Sequence, residues 1–355
     1  MSTDPIARRG FLGGALQLAG GGALLRSTNA VAGQAAPPSP GRAPMTLNNG
    51  VLRAELHPPD PQKGFYRGTR FDWSGMVGSL EFAGHRFYGP WFQRVDETVR
   101  DFIYSGEEIV VGPASAATGP AQEFTTPLGH DEAAPGGTYV KIGVGVLKKP
   151  PTGGYERFGQ NPLVNTGTWS TRGGRTVHEC RQQLQDPGSG YGYDYRKKVE
   201  LPAGSAHMRM EHTLRNTGSK PIRTEVYNHN FLTLDRLAPG PDYTIRLPFE
   251  AQPERSPAPE LLEIKGREIT YRRLMKDRDT VYTGLKGFGA APSDYDVRVE
   301  HRTAGVGVRV TCDRPLSRMA IWSIRATMSL EPFIRLDIAP NTEATWFYDY
   351  EYYRL

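Results

Sequence analysis

Cysteine is nearly absent: Cys180 and Cys312 are the two in 355 residues. That excludes a small disulfide-stapled scaffold, and without a CxxC pair or any Cys/His ligand spacing a zinc site has no support in the sequence. The two thiols lie far apart along the chain, which leaves their pairing in an oxidising compartment open. Long apolar runs are missing too. No segment beyond the N-terminus approaches the roughly 20 apolar residues of a membrane-spanning helix, so no stable span is expected in the mature protein. There is no basic block either: 43 Lys and Arg are scattered among 38 Asp and Glu, for a formal net charge of +5. Nucleic acid is therefore excluded as the main partner. Sustained helical periodicity is the last absence. Short runs of β-branched and aromatic residues, all 17 Tyr and 13 of the 14 Phe among them, alternate with Gly, Pro, Asn and Asp from Leu52 onward, which predicts an all-β, mostly antiparallel protein.

The first residues read as an export signal. Arg8-Arg9-Gly10-Phe11-Leu12 places a twin arginine before a weakly apolar, glycine-rich stretch, and Ala30-Val31-Ala32 gives a small-residue cleavage pattern. Residues 1–32 are expected to be a twin-arginine signal peptide, 33–47 a flexible Ala/Pro-rich linker and 48–355 a single domain, in a periplasmic or secreted protein. Residues 1–32 hold Arg8, Arg9 and Arg26 against Asp4, so the mature chain keeps a charge of +3.

Strands are expected over 138–147, 194–201, 207–216, 222–234, 297–303, 307–312, 319–323 and 345–353. Turn chemistry at Pro202-Ala203-Gly204-Ser205 and Asn216-Thr217-Gly218-Ser219 makes 194–234 read as a three-strand meander. The Gly/Pro-rich stretches 113–137 and 150–174 read as long loops of the kind that serve as functional lids or stay disordered.

Three places carry chemistry. In the strand through Thr224 to Leu234, alternation puts Tyr227, His229 and Phe231 on one face, so a sugar ring has aromatic surfaces to stack on and an imidazole within reach of an oxygen. A hydrogen-bonded histidine in an aromatic core fits the same pattern. In Met328-Ser329-Leu330-Glu331-Pro332-Phe333 a carboxylate stands in an apolar run. It is either salt-bridged, with Arg325 or Arg335 as partners, or poised with a raised pKa as an acid or base. Gly64 to Gly75 packs Arg67, Arg70, Asp72 and aromatics including Trp73 into twelve residues. Arginine forks and stacking faces suit carbohydrate, and an ordinary edge loop with an Arg–Asp pair suits the segment equally.

Together these stretches resemble the galactose mutarotase-like, or aldose 1-epimerase-like, β-supersandwich proteins. Tyr195 to Leu201, Met208 to Thr217, and Lys220 onward to Asn228-His229-Asn230-Phe231 are similar to the strand pair leading into that family's Asn-His-x-Tyr-Phe signature. Ser329-Leu330-Glu331-Pro332, with Leu336 to Trp346 and a closing aromatic strand, resembles its catalytic-glutamate strand and Leu-x-Pro-Gly-Glu ending. Gly68-Thr69-Arg70 sits where these proteins carry a substrate-binding arginine. The resemblance spans about residues 48–355 and implies a large antiparallel β-supersandwich.

It also implies a division of labour, with Glu331 as general base on the anomeric hydroxyl and His229 as general acid at the ring oxygen, and no cofactor. Arg67, Arg70, Trp73, His130 and Tyr227 are the expected substrate-binding residues, and the partner is a sugar or oligosaccharide. The chain departs from the family in lacking its Leu-His-Gly-Gly turn, for which His130 in Leu128-Gly129-His130-Asp131 is the nearest substitute, and in having no match to its later substrate-binding Asp. The leading expectation is an aldose 1-epimerase-like isomerase. A polysaccharide lyase acting on a uronic-acid glycan, with an arginine neutralising the carboxylate, and a non-catalytic carbohydrate-binding protein are the competing ones. Sugar identity and oligomeric state are not legible.

Overall fold

The computed structural model describes residues 43–355; the expected signal peptide and most of the expected linker lie outside them. Two large sheets, antiparallel throughout, dominate. One has ten strands, with Tyr191–Glu200, His207–Asn216, Glu343–Arg354, Val306–Cys312 and Asp296–His301 as consecutive neighbours near its middle. The other has six, in the order Gln252–Pro253, Thr280–Lys286, Arg318–Ile324, Thr327–Ile338, Ile222–Phe231, Gly119–Phe124. A first strand at Met45–Asn48 pairs with Leu52–His57, so regular structure begins inside the stretch read as linker.

The strict alternation of burial explains why these segments are strands. Every second residue is buried throughout His207–Asn216 and from Trp346 to Tyr352 in Glu343–Arg354, among them Met208, Met210, Leu214, Trp346, Tyr348, Tyr350 and Tyr352. These meet Ile222, Val226, Ile334 and Leu336 of the six-stranded sheet in one core. Each such side chain contributes about 1.5–3 kcal/mol through its removal from water. One chain of hydrogen bonds crosses the interface: Asn228 Nδ2 donates to Tyr350 Oη at 2.9 Å, and Tyr350 Oη donates to Asn230 Oδ1 at 2.8 Å. Those pairs fix the even-numbered residues of Ile222–Phe231 toward the core and turn Tyr227, His229 and Phe231 to the opposite face. That face is covered by a second aromatic core, including Tyr66, Phe71, Trp73, Trp91 and Tyr139, so from Val226 onward the strand is buried on both sides.

Several expectations need correction. The third strand of the supposed meander does not pair with the second: His207–Asn216 lies between Tyr191–Glu200 and Glu343–Arg354, while Ile222–Phe231 belongs to the other sheet. Turn residues mark where a chain reverses, not which strand becomes its neighbour. Here buried Asn216 donates Nδ2 to Ile338 O at 2.9 Å and to Lys220 O at 2.8 Å, tying the connection across the sandwich. The expected strand 138–147 is a hairpin of Thr138–Lys141 and Gly145–Lys148. It breaks at Gly143, whose φ of 78° and a virtual Cβ 2.5 Å from Asp72 Oδ1 both require glycine. The stretch 113–137, read as loop, contains the strand Gly119–Phe124, whose glycine, proline, glutamine and glutamate are poor strand formers overridden by burial. Likewise 150–174 contains Leu163–Asn165 and Thr168–Gly173. Cys180 and Cys312 are both buried and form no disulfide. No helix among the described residues is long and apolar enough to cross a membrane.

Candidate functional site

The outer face of the six-stranded sheet carries three rows of side chains, set by strand register. Tyr227 is paired with Glu123 on one side and Phe333 on the other, and Phe333 in turn with Arg318. Two residues along, His229 is opposite Ala121, Glu331 is opposite Ala320, and Ala320 is opposite Gly284. Two further along stand Phe231, Ser329, Trp322 and Tyr282. The central row is therefore low at Ala121, Ala320 and Gly284, with taller rows on both sides. His229 and Glu331 rise from its floor. Glu254 Oε2 lies where a Cβ at Gly284 would go, closing the far end.

The ladder between Ile222–Phe231 and Thr327–Ile338 runs from Ile222–Ile338 to Tyr227–Phe333 and resumes only at Leu232–Met328. Continued through the gap, that register sets His229 opposite Glu331. Pro332 has no N–H to offer the ladder, and Asn230 Nδ2 fills part of the vacancy by donating to Leu330 O at 2.9 Å. His229 Nε2 lies 3.1 Å from Glu331 Oε1, with the two residues only 5% and 6% exposed. The imidazole stacks on Phe231 at 3.8 Å and meets the Trp322 ring edge-on at 5.2 Å and that of Phe71 at 6.0 Å. His229 Nδ1 has no hydrogen-bond partner among the described residues.

Burial drives both groups toward neutrality. The Glu331 carboxyl is pushed up to about 7 by burial, against the opposing pull of the Arg157 and Arg70 charges. Burial, then Arg70 and Arg157, hold His229 well below the usual imidazole range. Of the two alternatives for Glu331, the salt bridge with a chain neighbour is not formed: Arg325 donates to Asp277 O and Glu107 O, and Arg335 is exposed.

Next to the pair lies a charge cluster centred on Glu123, which is fully buried. Arg70 Nε donates to Glu123 Oε2 at 2.9 Å, and Arg157 donates through Nε to Oε1 at 2.8 Å and through Nη2 to Oε2 at 2.6 Å. Tyr227 Oη donates to Oε2 at 2.8 Å and accepts from Arg70 and Arg157. Lys141 Nζ is 3.8 Å from Oε1 and also donates to Phe124 O. Burial alone would raise the Glu123 carboxyl, but Arg157, Arg70 and Lys141 outweigh it and hold it well below the usual range. Burial brings Lys141 down to about 8, with Glu123 opposing. The Phe158 ring lies 4.8 Å from the Arg70 guanidinium and 5.8 Å from that of Arg157.

Of the residues singled out in the sequence, His229, Glu331, Arg70 and Tyr227 come together. His130 is buried at one remove, against Tyr139 at 5.0 Å and Tyr155 at 5.6 Å. Arg67 and Trp73 are not brought to the pair: Arg67 is exposed and donates to Gln62 O, and Trp73 is buried, stacked on Trp169, with Nε1 donating to Gly68 O. Both are consumed by the loop that carries Arg70. Sequence reasoning missed Glu123, Arg157, Lys141, Phe158 and Trp322. Arg157 had a signal, since Tyr155-Glu156-Arg157-Phe158 repeats the mixture of arginine and aromatics that marked Gly64 to Gly75. A cavity of about 480 Å³ elsewhere, lined by Arg53, Glu81, Arg86 and Asp235 among others, has its charges paired off, Arg86 with Glu81 and Arg53 with Glu55. Among the described residues no group of three or more His, Cys, Asp and Glu is placed to hold a metal ion.

No protein-family model and no curated protein matches the chain. Solved structures do match. A protein from Synechocystis sp. PCC 6803 superposes with a TM-score of 0.51 at 12% identity, covering 90% of this chain and 98% of its own. An aldose 1-epimerase candidate from Escherichia coli K12 gives 0.50 at 13% identity, over 88% and 99%. The fold is galactose mutarotase-like. A galactose mutarotase-like protein from Lactobacillus casei ATCC 334 also gives 0.50, at 11% identity over 87% of this chain and 100% of that one. At such identities the galactose mutarotase-like match speaks for architecture alone.

Proposed function

We propose that this chain is an exported, aldose 1-epimerase-like enzyme that interconverts the anomers of a sugar, with Glu331 and His229 as its acid–base pair. The observation that carries the reading is the 3.1 Å approach of two nearly buried titratable groups, one pushed up to about 7, in a hollow flanked by Trp322 and Tyr282. A pyranose seated over the pair opens their 3.1 Å contact, so that O1 faces Glu331 and O5 faces His229. The O1–H proton passes to the Glu331 carboxylate as C1=O forms. The C1–O5 bond breaks, and O5 takes a proton from the His229 imidazolium. Rotation about C1–C2 and the reverse steps give the other anomer. The pair holds one proton throughout, moving between the ionic arrangement and the neutral one that burial favours. The exported location rests on the twin-arginine sequence.

Proton NMR of the full-length protein with a panel of free aldoses and uronic-acid oligosaccharides tests this. Anomer exchange that vanishes in both Glu331→Gln and His229→Ala is expected. An unsaturated product from the oligosaccharides would replace the reading with a lyase, and binding without any chemical change would replace it with a binding protein.

A further inference from the structure

The charges around Glu123 do not balance. Arg70 is 6% exposed and Lys141 fully buried, and with Arg157 they place three cations about one carboxylate. Asp101 also acts on Arg70, but as the weakest of the charges felt there and without an ion-pair contact, and Glu156, next to Arg157 in the chain, is engaged by Arg100 on the surface. Glu331 is the other acid within reach of Arg157 and Arg70, and it stands beside His229 rather than in the cluster. A surplus of positive charge in a partly desolvated place is costly unless a partner neutralises it. Arg157 is the member best placed to meet one. Its side chain keeps 28% of its surface exposed, it enters from a glycine-rich loop rather than a strand, and its contacts with Glu123 and Tyr227 use Nε and Nη2. Tyr227 and His229 are two residues apart on one strand face, about 7 Å, so Arg157 lies roughly one sugar ring away from the acid–base pair.

We infer that the sugar taken by this site carries an anionic group, a carboxylate or a phosphate, received by Arg157 beside Arg70. The inference rests on the acid–base reading of His229 and Glu331 and adds the charge of the substrate. Arg70, locked between Glu123 and Tyr227, positions the field, and the planar fork of Arg157 is the group that changes partner, giving up part of its hold on Glu123 to the incoming anion.

The test is calorimetric titration and NMR anomer exchange on the full chain with D-glucuronate, D-galacturonate and D-glucose 6-phosphate, each against its neutral parent, D-glucose or D-galactose, with inorganic phosphate as the free anion. One charge-assisted contact predicts tighter binding of the charged sugars by about tenfold or more. That advantage should shrink with added salt in the wild type, disappear in Arg157→Gln and return in part in Arg157→Lys. The salt series needs no variant, so a folding defect in Arg157→Gln leaves the test standing. Preference for the uronates over the phosphate ester, or the reverse, tells which anion is meant. Equal binding and turnover of neutral and charged sugars, still abolished by Glu331→Gln, would overturn the inference and leave the epimerase reading intact. Absence of turnover with every sugar would remove that reading and this one with it.

Discussion

His229 and Glu331 face each other across the one stretch where two long neighbouring strands lose their ladder, and the residue that breaks the ladder, Pro332, is next to the glutamate. A continuous hydrogen-bonded pair would hold the strand spacing fixed. The break leaves backbone groups to be met by side chains, as Asn230 does at Leu330 O, and gives the opposed side chains their place in the hollow.

Glu331→Gln separates chemistry from stability. Burial raises the Glu331 carboxyl to about 7 in the folded protein, above its unfolded value. The stabilisation this represents is fully present below the unfolded pKa and is lost as pH rises through about 7. An uncharged isostere cannot ionise, so it escapes that loss. Glu331→Gln is expected to abolish anomer exchange while gaining stability relative to wild type, up to about 3 kcal/mol above pH 8 and little near pH 5. Urea melts at the two pH values check it; equal differences at both would mean that Glu331 does not titrate in the fold.

The rate profile follows from the same pair. The active form holds one proton. As pH rises through about 7 that proton leaves Glu331 and turnover should fall. The second proton must enter His229, whose pKa burial holds well below the usual imidazole range, so the acid limb should lie far to the acid side of an ordinary histidine. Anomer exchange rates measured between pH 4 and 9 should show an optimum on the acid side of neutrality. A profile that climbs through pH 7 to a plateau would contradict the proton count.

Much of this site was legible one strand at a time. Period-two alternation placed Tyr227, His229 and Phe231 on a common face, and an isolated carboxylate in an apolar run marked Glu331. What alternation cannot supply is the neighbour. Ile222–Phe231 reads as the third strand of a meander because turn residues precede it, yet it crosses to the other sheet, where its partner is more than a hundred residues away in sequence. Glu123 stayed hidden because its strand opens with Gly119 and Pro120, and a strand buried on both faces need not show polar alternation. Arg67 and Arg70, three residues apart in one loop, differ only in which way the loop turns them, and no local rule decides that.

Glu123→Gln tests whether the cluster is held together by its central charge. Removing the negative charge leaves Arg70 and Lys141 buried without compensation, and losing one member of a buried ion pair costs about 3–5 kcal/mol. The wild-type carboxyl sits well below its usual range, so its contribution is present above the unfolded pKa and lost as pH falls through the folded one. Denaturation at pH 7 should show the full deficit. A loss under about 1 kcal/mol, the scale of a surface ion pair, would mean that the cluster is solvated.

Ala320 offers a way to close the hollow without replacing any titratable group. It is paired with Glu331 on one side and Gly284 on the other, and at 4% exposure it forms the floor beside the acid–base pair. Ala320→Leu adds three carbons where the sugar ring is to lie. Overpacking costs about 1–3 kcal/mol, which a sandwich with two cores should survive, so the variant is expected to fold and to keep the elevated pKa of Glu331. Turnover should fall at least about tenfold, through weaker sugar binding. Ala320→Gly, which only deepens the hollow, should keep most of it. Anomer exchange at several sugar concentrations, alongside a thermal melt of each variant, distinguishes a blocked hollow from a damaged fold: undiminished turnover in a folded Ala320→Leu protein would move the sugar away from this row of the sheet.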